Sequence, residues 1–400
     1  MRVLYFTIVP LMDDSNGGNM CCRNHVRRLS QDPDIELFVL WAGEPAHVAG
    51  TAAFLAEIGV PFETVAFEEG DAHPRDGSPA ALAEYAEVRA YHHPWELRAL
   101  NQHHVQEAAD RMIAAQGIDC VVADYLQSAL FVDLGRRDVR TALVTLNRED
   151  SFYRDLISLG LTPHPPEAAE ISHRRLVAFE RATYARVGKV IAIGPPDMPT
   201  GEVRSPPAYI TPYFDPRPEP WRHSGTRNCL FVGNIGHYPN RLAANWLTRE
   251  LAPRLHGIAP DIRITIVGAT PDQIPPEDRH PNLECLGIAD AATVEALMRT
   301  ADLMLCPVEN DYGVKFKAVQ ALSYGIPLLA SRQTMCGFPH LRNLPVIDLD
   351  RPEEAAAVIR HLLSVPETLK AVQQRQTAHQ AAFIASQSDV WSRTLREIPA

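Results

Sequence analysis

Two lysines one residue apart, Lys315 and Lys317, follow Gly313 in the stretch "ENDYGVKFKAVQALSYGIPLLAS", residues 309–331. Val314, Phe316, Val319, Ala321 and Leu322 fall near helical spacing, and Gly325 with Pro327 supplies a stop, so a helix starts near Gly313. A helix N-terminus presents unsatisfied backbone N–H groups and the positive end of the helix dipole. With two ammonium groups in the first turns this is an anion site in outline, or, in the plainer reading, a solvated helix face. A second glycine turn, Gly17-Gly18 in "PLMDDSNGGNMCCRNHVRRLS", also opens onto a helical pattern and would let backbone N–H groups approach a phosphate closely. Neither Gly-x-Gly-x-x-Gly nor Gly-x-x-x-x-Gly-Lys-Ser/Thr occurs there.

Carboxylates suited to acid–base work are best placed in "VTLNREDSFYRD", where Asn147, Glu149 and Asp150 follow a strand-like run. The competing role for Asp150 or Ser151 is a helix N-cap. In "FVGNIGHYPNRLAANWL" a strand and glycine turn lead into a helix, with His237 and Asn240 as ligand contacts or caps. Asp348-Leu349-Asp350 has the form of a metal-binding Asp-x-Asp, but it ends a late strand and reads as a cap. His92-His93 lacks a carboxylate or cysteine at ligand spacing; it could line an acceptor pocket.

These residues need strands that end in loops. Apolar runs at Val3 to Val9, Ile35 to Trp41, Phe62 to Phe67, Cys120 to Ala123, Ala142 to Leu146 and Val190 to Ile193 alternate with helix-length segments, clearest over Pro94 to Gln116 and Glu167 to Arg186. This alternation predicts a parallel sheet with helices on both faces. Nine prolines between Pro195 and Pro220 interrupt it. The pattern then restarts with strands beginning near Cys229, Ile262, Leu283, Leu303, Pro327 and Pro345 and a helix over Arg241 to Leu255. The expected division is 1–205, a linker over 206–225, a second domain over 226–375, and a final helical segment over 376–400 that packs back on the first domain. Two doubly wound domains place the carboxyl ends of two sheets on a cleft.

Four hundred residues suit two domains, and 46% hydrophobic with 22% charged residues describes an ordinary globular chain. A formal charge of −11 argues against general nucleic-acid binding. The seven cysteines lack metal-ligand spacing and mostly lie in strand-like runs, which suits a reducing compartment. The chain enters a strand directly, without a leader pattern, and has no apolar stretch of the roughly 18 residues a membrane span needs. A cytoplasmic protein is expected, with room for peripheral membrane contact and an oligomeric state left open.

The second-half motifs "FVGNIGHYPNRLAANWLTRELAPRL", "IRITIVGATP", "LECLGIAD" and "ADLMLCPVENDYGVKFKAVQALSYGIPLLAS" resemble the donor domain of nucleotide-sugar glycosyltransferases of GT-B fold, closest to glycosyltransferase family 4. In the first half, "FERATYARVGKVIAIGPPD" is similar to the end of the acceptor domain in those enzymes. The resemblance implies two Rossmann-like domains and transfer from a nucleotide diphosphate sugar to a saccharide, small-molecule or other hydroxyl acceptor. Retention, and neither metal nor cofactor, are also implied. By resemblance Lys315 and Lys317 neutralise the leaving diphosphate, a charge that develops in the transition state. Gly17, Gly18, Gly233, Asn234, His237, Gly287, Ile288, Glu309, Tyr312, Gly313, Val314 and Gln320 fall at donor-binding positions. Asp13, Asp14, His92 and His93 fall on the acceptor side. In the family a glutamate usually stands eight residues before a second; Tyr312 and Gln320 stand there here, and Glu309 lies nearest to replace the first. Leu146 takes the place of a usual histidine, which shifts weight onto Asn147 and Glu149. Inversion would instead need a base among Asp13, Asp14 and Glu149. A catalytically degenerate binding subunit and a nucleotide-sugar epimerase are the alternatives.

Overall fold

The computed structural model describes residues 1–12, 16–67 and 102–399, together with 83, 86, 96 and 99. The chain forms two compact units, Met1–Thr211 with Ser388–Ala400, and Pro212–Gln387.

The first unit is built on seven parallel strands: β1 Arg2–Thr7, β2 Glu36–Gly43, β3 Phe62–Ala66, β4 Cys120–Asp124, β5 Arg140–Thr145, β6 Lys189–Ala192 and β7 Ala208–Tyr209, in the order β3-β2-β1-β4-β5-β6-β7. Both faces are covered, so the central strands are continuous apolar runs and β1 is buried from Val3 to Thr7. Helices α1 Gly17–Gln31, α2 Pro45–Ile58, α3 His103–Gln116, α4 Glu149–Ser158 and α5 Pro166–Arg186 make the crossovers. Val105, Ala108 and Met112 of α3 join Leu4, Phe6, Leu40, Val121 and Leu143 of the sheet in one core. The order reverses between β1 and β4, and ligands of such sheets bind at the carboxyl ends beside that reversal.

The second unit repeats the plan with β8 Asn228–Val232, β9 Arg263–Val267, β10 Leu283–Cys285, β11 Leu303–Cys306, β12 Leu328–Ser331 and β13 Val346–Ile347, in the order β10-β9-β8-β11-β12-β13. Its reversal falls between β8 and β11. Helices α6 Tyr238–Trp246, α7 Ala252–Ile258, α8 Ala291–Thr300, α9 Phe316–Tyr324, α10 Arg332–Met335, α11 Pro352–Ser364 and α12 Pro366–Ala385 follow the strands, and α13 Val390–Arg396 belongs to the first unit.

Three boundaries differ from expectation for identifiable reasons. The proline-rich passage holds the short edge strand β7, and its later part packs on the second unit: the Trp221 indole donates to the Ala301 carbonyl at 2.9 Å, and buried Asp302 accepts from the Ser224 and Arg227 amides. The helix expected over Arg241 to Leu255 is interrupted by a π turn at Leu247–Leu251, because Pro253 has no N–H to continue the ladder. The chain returns to the first unit at Ser388 rather than at 376. There the Ser392 amide donates to buried Asp32 at 2.9 Å, Lys189 pairs with Glu397 at 2.8 Å, and Trp391 meets the His25 ring edge-on.

Candidate functional site

In the second unit, three strand ends are tied together by backbone hydrogen bonds. The Gly233 amide donates to the Val267 carbonyl at 2.9 Å, Gly268 to Gly287 at 2.7 Å, and Ile235 to Gly268 at 3.2 Å. Gly268 makes this possible: its φ is +104°, and a Cβ there would lie 2.3 Å from the Gly233 carbonyl oxygen. Gly287, also left-handed at φ +71°, sits between the exposed side chains of Leu286 and Ile288. Gly233 leaves space for Asn240, whose amide carbon would be 2.8 Å from any Cβ at that position.

Asn240 is the polar hub. Its Nδ2 donates to the Asn234 carbonyl at 2.9 Å, which turns Oδ1 toward the Lys317 ammonium, and that ammonium donates to it. The Lys317 Nζ also lies 5.0 Å from the centre of the Phe231 ring. Burial holds the Lys317 pKa below the ordinary lysine value, and among the described residues no carboxylate pairs with it. Lys315 points differently: its ammonium folds back onto the carbonyls of Tyr312 and Gly313, the latter at 2.9 Å. The helix begins later than expected, because Gly313 is left-handed at φ +67° and Lys315 is extended. Lys315 is thus the N-cap and Lys317 lies within the first turn of α9.

The remaining second-unit positions divide. Glu309, Asn234 and His237 are exposed and Gln320 is half-buried on α9. His237 begins α6 without a side-chain cap; partial desolvation of its ring, then the charges of Lys317 and Lys315, lower its pKa even though it keeps an open edge. Tyr312 and Val314 are buried. The Tyr312 hydroxyl bonds that of Tyr238, so at the place of the usual glutamate this side chain braces the loop from inside. Asp348 accepts the Asp350 amide at 3.1 Å in a local turn; Arg351, whose side chain pairs with Glu354 at 2.9 Å and makes no capping bond, occupies the N-cap expected for the aspartates. Among the described residues no three His, Cys, Asp or Glu side chains gather as a metal site would require.

In the first unit, α1 starts at Gly17 with Asn16 as its cap, the Asn16 side chain accepting from the Asn19 amide at 2.9 Å. Gly17 and Gly18 lie inside the first turn with negative φ, so here the glycine supplies space: a Cβ on Gly18 would lie 2.7 Å from the Tyr125 hydroxyl. Tyr125 follows β4 with φ +73°, rare for a residue with a side chain. Next to it Asp124 is fully buried, 3.1 Å from His25 Nδ1 and bonded to the Tyr5 hydroxyl.

After β5, Leu146 is buried and Asn147 and Glu149 turn into a polar cluster. Glu149 is the first residue of α4 and also buried; Arg148 occupies the N-cap position, its side chain making no capping bond to the helix, so neither Asp150 nor Ser151 is the cap. Desolvation, then the charge of Glu180, lifts the Glu149 pKa to about 7 against hydrogen bonds from Asn147 and Gln127. Asp13, Asp14, His92 and His93 lie outside the described residues, as does most of the segment 68–95.

The glycine-tied strand ends and the lysine at the start of α9 lie in one sequence block. Residues 226–365 match the family model described as glycosyl transferases group 1. The matched residues span the sheet of the second unit. No curated protein sequence matches the chain. Among solved structures it is similar to TarM (9% identity, 99% of each chain covered, TM-score 0.67). It is similar also to Anabaena Alr3699/HepE in complex with UDP, at 14% identity, with 99% of this chain and 100% of that one covered and a TM-score of 0.60. Sucrose-phosphate synthase from Thermosynechococcus elongatus is 13% identical over 99% of each chain, with a TM-score of 0.58. The fold is α/β, with two Rossmann-like domains, as in GT-B glycosyltransferases.

Sequence reasoning missed Gly268 and Tyr125 and gave Asn240 only as one option. Gly268 carried a signal, a glycine directly after an apolar strand in "TIVGAT". Tyr125 carried none, because its left-handed backbone is imposed by the packing around it. Gly268→Ala is expected to destabilise the second unit by about 1–3 kcal/mol through backbone strain and to weaken nucleotide binding with it. Urea unfolding and nucleotide titration of the variant check both effects; parental values for both would remove Gly268 from the site.

Proposed function

We propose that this protein is a glycosyltransferase that moves a sugar from a nucleotide diphosphate sugar to a hydroxyl of a saccharide acceptor, as a relative of glycosyltransferase family 4. The observation that carries the reading is Lys317: a cation that no carboxylate pairs with among the described residues, its pKa lowered by burial, at the start of a helix within the residues that match the glycosyl transferases group 1 model. A diphosphate would satisfy it, together with the N–H groups at the start of α9. Charge accumulating on the departing nucleoside diphosphate is then met by groups already in place. Leu286 and Ile288 beside Gly287 offer an apolar surface for the base, and Gln320 an amide for a ribose hydroxyl. Glu149, with Asn147, is the acceptor-side group. Retention of configuration and activity without metal or cofactor complete the reading, since two lysines supply the positive charge. UDP bound to the Anabaena neighbour makes UDP the first nucleotide to try.

Leu146 and Tyr312, apolar or turned inward where the family carries polar side chains, favour a second reading, a binding subunit without turnover. Thermal denaturation with UDP, GDP, ADP, CMP and dTDP, each with and without magnesium, tests the first reading. A rise with one diphosphate, about 2.7 kcal/mol at a hundredfold excess over Kd and equal without magnesium, is expected. The matching sugar conjugate should then release that diphosphate. Binding without release supports the second reading, and no shift with any nucleotide overturns both.

A further inference from the structure

Tyr125, directly after β4, has φ +73° and ψ +138°, a backbone conformation that residues with a Cβ rarely adopt. Hydrogen bonds on either side hold it there. Its amide donates to the Val144 carbonyl of β5 at 3.0 Å, and its carbonyl accepts from the Ser128 amide at 3.1 Å in the turn Leu126–Leu130. The Ser128 hydroxyl donates to the Asp124 carbonyl. The fully buried Asp124 carboxylate accepts from the Tyr5 hydroxyl of β1, and His25 Nδ1 of α1 lies 3.1 Å from it. Strain that is overdetermined in this way persists where a side chain has to be aimed. Here the aimed group is the phenol hydroxyl. It lies against the first turn of α1, where a Cβ on Gly18 would come within 2.7 Å of it but 3.5 Å from the ring carbon that carries it. Gly18 has no positive φ, so its missing Cβ serves space and not backbone freedom. Tyr125 is half-buried, and among the described residues its hydroxyl has no hydrogen-bond partner. Its place is the reversal of strand order between β1 and β4, where ligands of such sheets bind, and the strand tied to its amide leads on to Asn147 and Glu149.

We propose that Tyr125 is an acceptor-binding residue whose hydroxyl bonds a hydroxyl of the saccharide acceptor, with Gly18 keeping its place clear and the Tyr5–Asp124–His25 group positioning its backbone. This assignment rests on the reading that the first unit holds the acceptor. A phenol both donates and accepts, so one tyrosine can bond a sugar hydroxyl in either sense. With Glu149 reached from the neighbouring strand, the acceptor is held at two points, which fixes its orientation as well as its position.

Tyr125→Phe tests it, because it removes the hydroxyl and keeps the ring. Ring signals are followed by NMR in the full chain labelled with carbon-13 tyrosine, the Tyr125 signal being the one missing from Tyr125→Phe. Glucose, galactose, mannose and N-acetylglucosamine, and their methyl glycosides, are added in turn with the stabilising diphosphate present. At least one should move the Tyr125 signal; no movement with any of them overturns the assignment. Diphosphate release from the matching nucleotide sugar gives the kinetic arm. With the saccharide that moves the signal, Tyr125→Phe should raise acceptor KM about 3- to 10-fold, the worth of one neutral hydrogen bond, while donor KM stays within about twofold. The thermal midpoint should hold, since no protein group loses a partner. An unchanged acceptor KM overturns the assignment, and a lowered midpoint beside it makes Tyr125 a structural brace. Gly18→Ala should raise acceptor KM in the parent, where its Cβ meets the hydroxyl, and add little on the Tyr125→Phe background, where the nearest ring carbon is 3.5 Å away. Additive losses would remove Gly18 from the proposal. No release from any nucleotide sugar in the parent sinks the transferase reading, whereas release that a saccharide stimulates equally in parent and Tyr125→Phe sinks only the role of Tyr125.

Discussion

Lys317→Met is expected to weaken nucleoside diphosphate binding about 10- to 100-fold, the worth of a charged hydrogen bond of roughly 1.5–3 kcal/mol. Turnover should fall further, about 10²- to 10³-fold, because the charge that Lys317 meets grows as the sugar departs. The unliganded protein should behave in the opposite sense. A lysine whose folded pKa lies below its unfolded value costs stability at every pH below the unfolded pKa, and burial depresses Lys317 in this way. Methionine fills similar space without the charge, so the thermal midpoint should hold or rise. Lys315→Met should differ, since that ammonium is occupied by the carbonyls of its own loop: a lower midpoint and a smaller loss of affinity. Calorimetric titration with the stabilising diphosphate and melting of both variants decide the matter. Undiminished affinity in Lys317→Met would place the anion elsewhere.

The contrast between the two lysines shows how far the sequence reaches. Strand and helix periodicity, and the glycines that end strands, were legible because they are local properties of the chain. The lysines could be placed at a helix start on the same grounds. Their directions could not, because Lys317 is aimed by Asn240, 77 residues earlier, and Lys315 by a left-handed Gly313 that shortens the helix by one turn. Tyr312 is a similar case. Its position matched a family glutamate, but its environment is set by Tyr238 on another helix. On the acceptor side, Glu149 was legible as a carboxylate after a strand, while the residue that perturbs it, Glu180, lies 31 positions later. Helix packing, which no spacing rule expresses, brings the two together.

Glu149→Gln should produce opposite effects on activity and stability. Turnover is expected to fall about 10²-fold or more, the usual contribution of a positioned acid–base group, with diphosphate affinity nearly unchanged. Stability should rise above neutral pH. A carboxyl raised in the folded state to about 7 favours folding fully only below its unfolded pKa near 4.5. That contribution drains away as the pH climbs from there through 7, beyond which the folded protein must hold a buried charge. Over such a shift the linkage amounts to about 3 kcal/mol. A glutamine carries no charge to desolvate, so its advantage over the parent should be small at pH 5 and grow toward pH 8. Urea unfolding of both proteins at these two pH values, alongside diphosphate release, separates the possibilities. A residue of purely structural importance would lose stability with activity. One that holds an unfavourable carboxylate for chemistry gains the first while losing the second, and equal unfolding curves at pH 8 would show that Glu149 is not under the strain its burial implies.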